Sequence, residues 1–164
     1  MRKAVFLDRD NTLIYDPGYI HEADKVKLLD GVGEGLKLLK EAGYLLIVVS
    51  NQSGIGRGYF TEREFWEVNY RLQELLEPFN VQIDDFFFCP HRPDEGCKCR
   101  KPGTLMVERA VEKWKIDVKE SFVIGDKDID VELAFRAGCR GGIKVGVPCF
   151  ENFLKAASFI VGEK

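Results

Sequence analysis

The run YLLIVVS at 44–50 constrains the fold more than any other stretch. It is continuously apolar and rich in branched side chains. Such a strand has no solvent face, so it must be covered on both sides, as in a parallel sheet clad by helices. Its neighbours supply the rest of that architecture. AVFL at 4–7, DDFFFCP with its strand at 85–88, and SFVIGD at 121–126 are further strand-length runs. Between them lie segments of helical period. GVGEGLKLLKEA predicts a helix over 31–42, stopped by Gly43. TERE is a capping box, Thr61 with Glu64 three residues on, opening a helix to about Glu77 that Pro78 ends. Helices are also predicted from about 103 to 114 and over 128–137, and strands in GGIKVG (141–146) and SFIVG (158–162). The alternation predicts an α/β fold: a three-layer, doubly wound parallel sheet. At 164 residues a single domain is expected, with no internal repeat or linker.

Ligands of open parallel sheets sit beyond the carboxyl ends of the strands. Four strands here run into polar residues: Asp8 and Asp10, Ser50 and Asn51, Cys89 leading on to Lys101, and Asp126. Those ends are expected to meet at one site.

Two neighbouring carboxylates repel, and one pKa is normally pushed up. Either a divalent cation bridges them or one stays protonated and acts as an acid. Mg2+ takes oxygen ligands, one or two of them carboxylates, and leaves room for water and phosphate. Asp8 and Asp126 can supply carboxylates and the Asp10 backbone carbonyl a third oxygen. The Asp10 carboxyl is then free for general acid and base work. Asp8 is suited to nucleophilic attack on phosphorus, assisted by the metal and Lys101.

Three of the five cysteines, Cys89, Cys97 and Cys99, are crowded with His91 as C-x-H-x5-C-x-C. An odd count in one cluster argues for a metal and against a disulfide framework. Three thiolates and an imidazole match a closed, structural Zn2+ site, with Pro90, Pro93 and Gly96 permitting the turn. Its expected job is to stiffen the loop that presents Arg100 and Lys101. The isolated Cys139 and Cys149 read as buried small hydrophobes.

FLDRDNTL, VVSNQSGIGRGYFTE, CPHRPDEGCKCRKPG and VIGDKDID, in that order, resemble the four signature segments of the haloacid dehalogenase superfamily of aspartate-nucleophile phosphatases. Within it they are similar to the zinc-containing heptose bisphosphate phosphatases and the related histidinol-phosphate phosphatases. The resemblance spans about Lys3 to Gly146. It implies that Asp8 is the nucleophile, that Asp10 is the acid/base, and that Ser50 and Lys101 hold the phosphoryl oxygens. It implies Asp126 as the third Mg2+ ligand, with Lys127 beside it. Asn51, Gln52, Ser53, Arg100 and the stretch Asp16-Pro17-Gly18-Tyr19 fall on positions that contact substrate in the heptose enzymes. Where the family usually has Gly after the second Asp, this chain has Asn11, the non-Gly residue best suited to positive φ. No large cap domain fits between Asp10 and Ser50 or between Ser50 and Lys101.

Several residues near these segments have plainer readings. Asp128 is expected as a helix N-cap and Asp130 as a partner standing behind the metal ligands. His21 reads as a surface or structural residue. Arg57, flanked by glycines, is expected to meet a sugar or second phosphate. The pair Arg57 and Arg100 suits a bisphosphate, and NQSGIGRGYFTE and GDK resemble the heptose enzymes more than the histidinol ones, a resemblance that implies D-glycero-D-manno-heptose 1,7-bisphosphate as the substrate. Histidinol phosphate is the alternative, since the Cys/His loop is as short as in its phosphatases. A nucleic-acid 3′-phosphatase would use the same four groups, but a net charge of −3 does not suggest a basic groove. A non-catalytic binding domain would be expected to have lost Asp8, Asp10, Lys101 or Asp126. Met1-Arg2-Lys3 leads into a strand, not a signal peptide, and no run is long enough to span a bilayer. A cytoplasmic monomer acting on a small phosphorylated molecule, with no nucleic-acid or membrane partner, is expected.

Overall fold

Five parallel strands form one sheet in the order β3-β2-β1-β4-β5. They are β1 (Ala4–Leu7), β2 (Leu45–Asn51), β3 (Asp85–Cys89), β4 (Phe122–Gly125) and β5 (Gly141–Lys144). The helices are α1 (Val32–Glu41), the short α2 (Ser53–Gly56), α3 (Glu62–Leu76), α4 (Leu105–Trp114), α5 (Asp128–Ala137) and α6 (Phe153–Val161). This is a computed structural model that describes residues 1–146 and 150–162.

Each central strand is sealed on both faces. Val5 and Leu7 of β1 join Leu46 and Val48 of β2 in a core with α1, α3 and α6, whereas Ala4, Phe6, Leu45, Ile47 and Val49 face α4 and α5. That division makes the three layers. Helix α3 begins where its capping box requires: the Thr61 side chain accepts from the Glu64 N–H, and Glu64 returns the bond to the Thr61 N–H. Among the described residues, no helix is long and apolar enough to cross a membrane.

The strand expected at 158–162 is instead the end of α6. Asn152 caps that helix by accepting from the Lys155 N–H at 3.0 Å, and Gly162 ends it at φ 80°. Phe153, Ala156 and Ala157 form one buried face at helical spacing. That face packs on α1, where a Cβ on Gly35 would come within 2.5 Å of the Phe153 ring. The short branched run at 159–161 signals a strand locally, but the longer period and the two caps decide the outcome. Cys139 is half-buried and packs at the edge of the second core rather than inside it, while Cys149 lies outside the described residues.

The register brings the strand ends level. Leu7 of β1 pairs with Val48 and with Ile124, and Asn51 of β2 pairs with Cys89. The Asp8 N–H extends the ladder one residue further, donating to the Ile124 carbonyl at 3.0 Å. Asp8, Ser50, Cys89 and Asp126 therefore leave the same edge of the sheet.

Candidate active site

After Asp8 the chain turns sharply. Asn11 adopts φ 61°, and the Leu13 and Ile14 N–H groups return to the Arg9 carbonyl at 2.9 and 3.2 Å. The left-handed turn expected of Asn11 is therefore present. It throws the two carboxylates apart. Asp8 goes toward Lys101, whose ammonium stands 2.9 Å from Asp8 Oδ1 and 2.8 Å from Asp130 Oδ1. Asp10 goes toward Gln52, whose amide nitrogen donates to Asp10 Oδ2 at 2.9 Å and to Ser50 Oγ at 2.7 Å.

Lys101 is buried, and a buried ammonium is tolerable only when paired. Its backbone is fixed as firmly as its head. The Lys101 N–H donates to Asn51 Oδ1 at 2.8 Å, and Asn51 Nδ2 donates to the Lys101 carbonyl at 3.3 Å. Asn51 thus holds the loop as a strand neighbour would, while also lining the cavity described below.

Asp130 enters the site through a gap at Gly125, where a Cβ would lie 2.1 Å from Asp130 Oδ2. Its side chain also accepts from the Lys127 N–H at 3.3 Å. The capping role expected of Asp128 therefore belongs to Asp130. The position before the helix is Lys127, and Asp128 is exposed and paired with Lys144 at 2.9 Å. The helix starts one residue earlier than a cap at Asp128 would need, which turns Asp130 inward. Thr12 is a further member that the sequence reading passed over. Its hydroxyl donates to Asp8 Oδ2 at 3.2 Å and lies 3.5 Å from Asp126 Oδ1. It was visible in DRDNTL as a polar residue one turn beyond the strand.

Asp8, Asp126 and Asp130 place carboxylate oxygens within 4.8 Å of one another. Burial raises the Asp8 pKa, but the Lys101 charge and hydrogen bonds with Asp126, Lys101 and Thr12 reverse this and hold it below the ordinary value. Burial likewise works against Lys101, yet Asp8 and Asp130 raise it to about 12. Asp126 is left as the surplus acid. Burial, then the hydrogen bond and charge of Asp8 and the charge of Asp130, push it to about 7. Asp130 is also raised, by burial first and by Asp8, with Lys101 opposing. Three acids around one ammonium thus hold an excess negative charge that a proton neutralises poorly and a hard divalent cation neutralises well. The oxygen-only donor set fits Mg2+. Asp10, committed to Arg9 and Gln52, stands outside this group of carboxylates.

The second cluster lies at the end of β3. Cys89 Sγ is 3.4 Å from His91 Nδ1 and 3.5 Å from Cys97 Sγ, and His91 Nδ1 is 3.2 Å from Cys99 Sγ. All four donor atoms fall within 4.8 Å of one another. Tetrahedral zinc with sulfur and nitrogen ligands has edges of roughly 3.5 Å, and three of the contacts match this. The Cys89 and Cys99 sulfurs lie 2.6 Å apart and would have to separate around the ion, so it is the donor chemistry of the set that fits Zn2+. Burial raises the Cys89 and Cys99 thiols, which makes a bound cation the route to thiolates there. The loop abuts α2: the Gly56 N–H donates to the Pro90 carbonyl at 2.9 Å, and a Cβ on Gly56 would strike that oxygen.

A cavity of about 350 Å³ opens between these parts. Asp8, Asp10 and Lys101 line its floor. Asp16, Gly18 and Tyr19 come to it from the loop after β1, Asn51, Gln52, Ser53 and Arg57 from the β2–α2 corner, Arg100 from the cysteine loop, and Lys127 from the start of α5. The loop after β1 is tied by Asp16, whose Oδ1 accepts from the Gly18 and Ile20 N–H groups at 3.0 and 2.9 Å. His21 lies outside the cavity, stacked 5.9 Å from Phe60 with its Nδ1 2.9 Å from the Tyr19 carbonyl. Two expected members are not in the lining. Ser50 is fully buried, one hydrogen bond behind the wall through Gln52, and Asp126 lines a neighbouring cavity with Asn11 and Thr12.

The chain is similar to known phosphatases in sequence and fold. A family model described as Polynucleotide kinase 3 phosphatase matches residues 3–130. The D-glycero-beta-D-manno-heptose-1,7-bisphosphate 7-phosphatase of Haemophilus ducreyi is 42% identical over 151 residues, 88% of this chain and 83% of that one. A probable D-glycero-D-manno-heptose-1,7-bisphosphate 7-phosphatase of Thermoplasma acidophilum is 44% identical over 137 residues, 83% of this chain and 86% of its own. The solved D,D-heptose 1,7-bisphosphate phosphatase of B. bronchiseptica, complexed with magnesium and phosphate, superposes with a TM-score of 0.88. It is 27% identical and covers 99% of both chains.

Proposed function

The chain belongs to the haloacid dehalogenase superfamily of phosphatases, in the family that includes the heptose bisphosphate phosphatases, and from that premise we propose that it is a Mg2+-dependent D-glycero-D-manno-heptose 1,7-bisphosphate 7-phosphatase. The observation that carries the chemical half of this reading is the separation of Asp8 from Asp10. One carboxylate is held against an ammonium among acids, the other against an amide at the cavity wall.

Asp8, ionised and aimed by Lys101 and Thr12, attacks phosphorus and forms an aspartyl-phosphate. Asp10 gives its proton to the departing sugar oxygen. It then takes a proton from water as that water attacks the aspartyl-phosphate, which frees inorganic phosphate and restores both acids. Lys101 neutralises phosphoryl charge, and the Ser50 hydroxyl, whose oxygen already accepts from Gln52, keeps its own hydrogen to give. Asp8, Asp126 and the Asp10 carbonyl, with Lys127 adjacent, would hold Mg2+, which would supply charge neutralisation on the phosphoryl oxygens. Asp130 serves as the counter-ion of Lys101. Zn2+ on Cys89, His91, Cys97 and Cys99 fixes the loop bearing Arg100 and Lys101.

Arg57 and Arg100 at the cavity rim suit a second phosphate, and Asp16, Gly18, Tyr19, Asn51, Gln52 and Ser53 surround the sugar between the two. The names of the relatives point to the same substrate. The protein acts on this small phosphorylated molecule as a cytoplasmic monomer. The test is phosphate release measured side by side on heptose 1,7-bisphosphate and histidinol phosphate. The bisphosphate is expected to give the higher kcat/KM by about 100-fold, the worth of two lost charge-assisted contacts. Equal rates, or preference for histidinol phosphate, would overturn the substrate assignment and leave the phosphatase assignment standing.

A further inference from the structure

We infer that Arg9 is a positioning residue for proton transfer: its guanidinium locks the Asp10 carboxylate in the orientation from which it serves the leaving group. This rests on the reading of Asp10 as the acid/base. Arg9 is completely buried, the largest side chain among the described residues to be so. A guanidinium is removed from water only at considerable cost unless every side of it is satisfied. Here Nε donates to Asp10 Oδ1 at 2.8 Å and Nη2 approaches Asp10 Oδ2 at 3.4 Å. Nη1 donates to Asn69 Oδ1 at 2.8 Å and lies 3.5 Å from the Phe65 carbonyl, while the guanidinium carbon stacks 4.8 Å from the Phe65 ring centroid. The far anchors are thus both on α3, the helix with the complete capping box.

Neighbours along an extended strand point to opposite faces, but β1 ends at Leu7, so that alternation no longer separates Arg9 from Asp10. Asn69 makes the case stronger. Its Nδ2 is, among the described residues, the one buried side-chain nitrogen or oxygen without a hydrogen-bond partner. A leucine of similar shape would remove that penalty and pack into the same core. What leucine lacks is an oxygen to receive Arg9. The residue is explained by the guanidinium it holds, and the guanidinium by the carboxylate it holds.

The planar fork fixes both the rotamer and the plane of the Asp10 carboxylate. In the first step the bond between Asp8 oxygen and phosphorus forms, the bond from phosphorus to the leaving oxygen breaks, and the Asp10 proton passes to that oxygen. Arg9 gains and loses nothing. A misplacement of about 1 Å at such a donor costs on the order of 100-fold in rate.

The test compares kcat/KM on p-nitrophenyl phosphate, whose leaving group departs without a proton, and phenyl phosphate, whose leaving group needs one. Arg9→Lys keeps the charge but loses the fork. It is expected to lower kcat/KM on phenyl phosphate by about 100-fold and on p-nitrophenyl phosphate by less than about fivefold. Equal losses on the two would assign Arg9 a structural role only and overturn the inference. Should Arg9→Lys fail to fold, Asn69→Leu takes its place, with a smaller loss in the same selective direction expected and equal losses again overturning it. Asp10→Asn with Arg9 intact separates the two readings. If that variant is itself unselective, the acid/base reading fails and takes the inference with it. If it is selective while Arg9→Lys is not, only the role of Arg9 is lost.

Discussion

The acidic cluster at the end of β1 and β4 and the cysteine cluster at the end of β3 both suit cations, but they are held together by opposite means. Asp8 and Asp130 are buried at the end of β1 and in the first turn of α5, elements that the two cores position, and with Lys101, buried at the end of the cysteine loop, they remain crowded although three acids, Asp126 included, face one ammonium. The fold imposes that crowding. Cys89, His91, Cys97 and Cys99 lie on a loop whose other residues are polar and largely exposed, with only Cys89 and Cys99 sunk into the core. There the ligands impose the loop. The lesson is that a cation would be a reagent in the first region and a piece of the fold in the second.

Asp8→Asn tests the first half most severely. The substitution removes one charge from a cluster that carries an excess, and Lys101 keeps Asp130 as its partner. Turnover is expected to fall by about 10⁴-fold or more, because the amide is no nucleophile toward phosphorus. The thermal unfolding midpoint is expected to stay level, because the attraction lost between Asp8 and Lys101 is offset by relief of the crowding on Asp126 and Asp130. Parallel measurement of phosphate release and thermal unfolding checks both. A variant that keeps the wild-type rate breaks the nucleophile assignment, and one that unfolds early breaks the claim that the fold tolerates the cluster at a cost.

The cysteine loop is expected to behave the other way. Cys99→Ser, or removal of zinc by a strong chelator, should lower stability by about 3 kcal/mol, a fraction of the roughly 10 kcal/mol that zinc contributes where it is the whole core. Activity should fall less steeply, because Lys101 is also held by Asn51 on its backbone and by two carboxylates on its head. Elemental analysis with thermal unfolding and single-turnover kinetics reads the three quantities together. A zinc-free sample with the unchanged midpoint would make the two regions alike.

What the sequence discloses follows the range of the interactions involved. Strands, the Thr61 cap and the cysteine spacing are local, and they are legible because apolar runs and turn residues act over a few positions. The burial of YLLIVVS on both faces even carries the layer architecture, since no other arrangement covers it. Residues 158–162 mislead for the complementary reason: the branched run is local, whereas the face through Phe153, Ala156 and Ala157 matters only once α1 is opposite it. Asp128 and Asp130 are separated by a helix start that shifts by one residue. Arg9 is the hardest to read. In DRDNTL it looks like a solvated charge, and its partners Phe65 and Asn69 lie 56 and 60 residues away. The clustering of Asp8, Lys101 and Asp130 needs the sheet register for the same reason, together with the room that Gly125 leaves.

The finest test of the contrast is the pH dependence of the protein stripped of divalent cations. Asp126 has a folded pKa of about 7 against an ordinary 3.8. Between those values the folded chain binds a proton that the unfolded chain has released. Stability from this group is therefore fully present below 3.8 and is lost as pH rises toward about 7. Lys101, raised to about 12, works in the same sense but only at far higher pH, so it leaves this window undisturbed. Asp8, held low, contributes a term of opposite sign that is complete before the window is well entered. The midpoint of the stripped protein is thus expected to fall modestly from weakly acid to neutral pH. Added Mg2+ should restore it most at the neutral end, where no proton competes for Asp126. Asp126→Asn, which removes the titrating group and keeps its shape, should reduce the fall to the part that Asp130, also raised, contributes in the same sense. A stripped protein whose midpoint climbs to neutrality instead would mean that Asp126 is ionised without a cation, and that the strand-end acids are less crowded than their distances require.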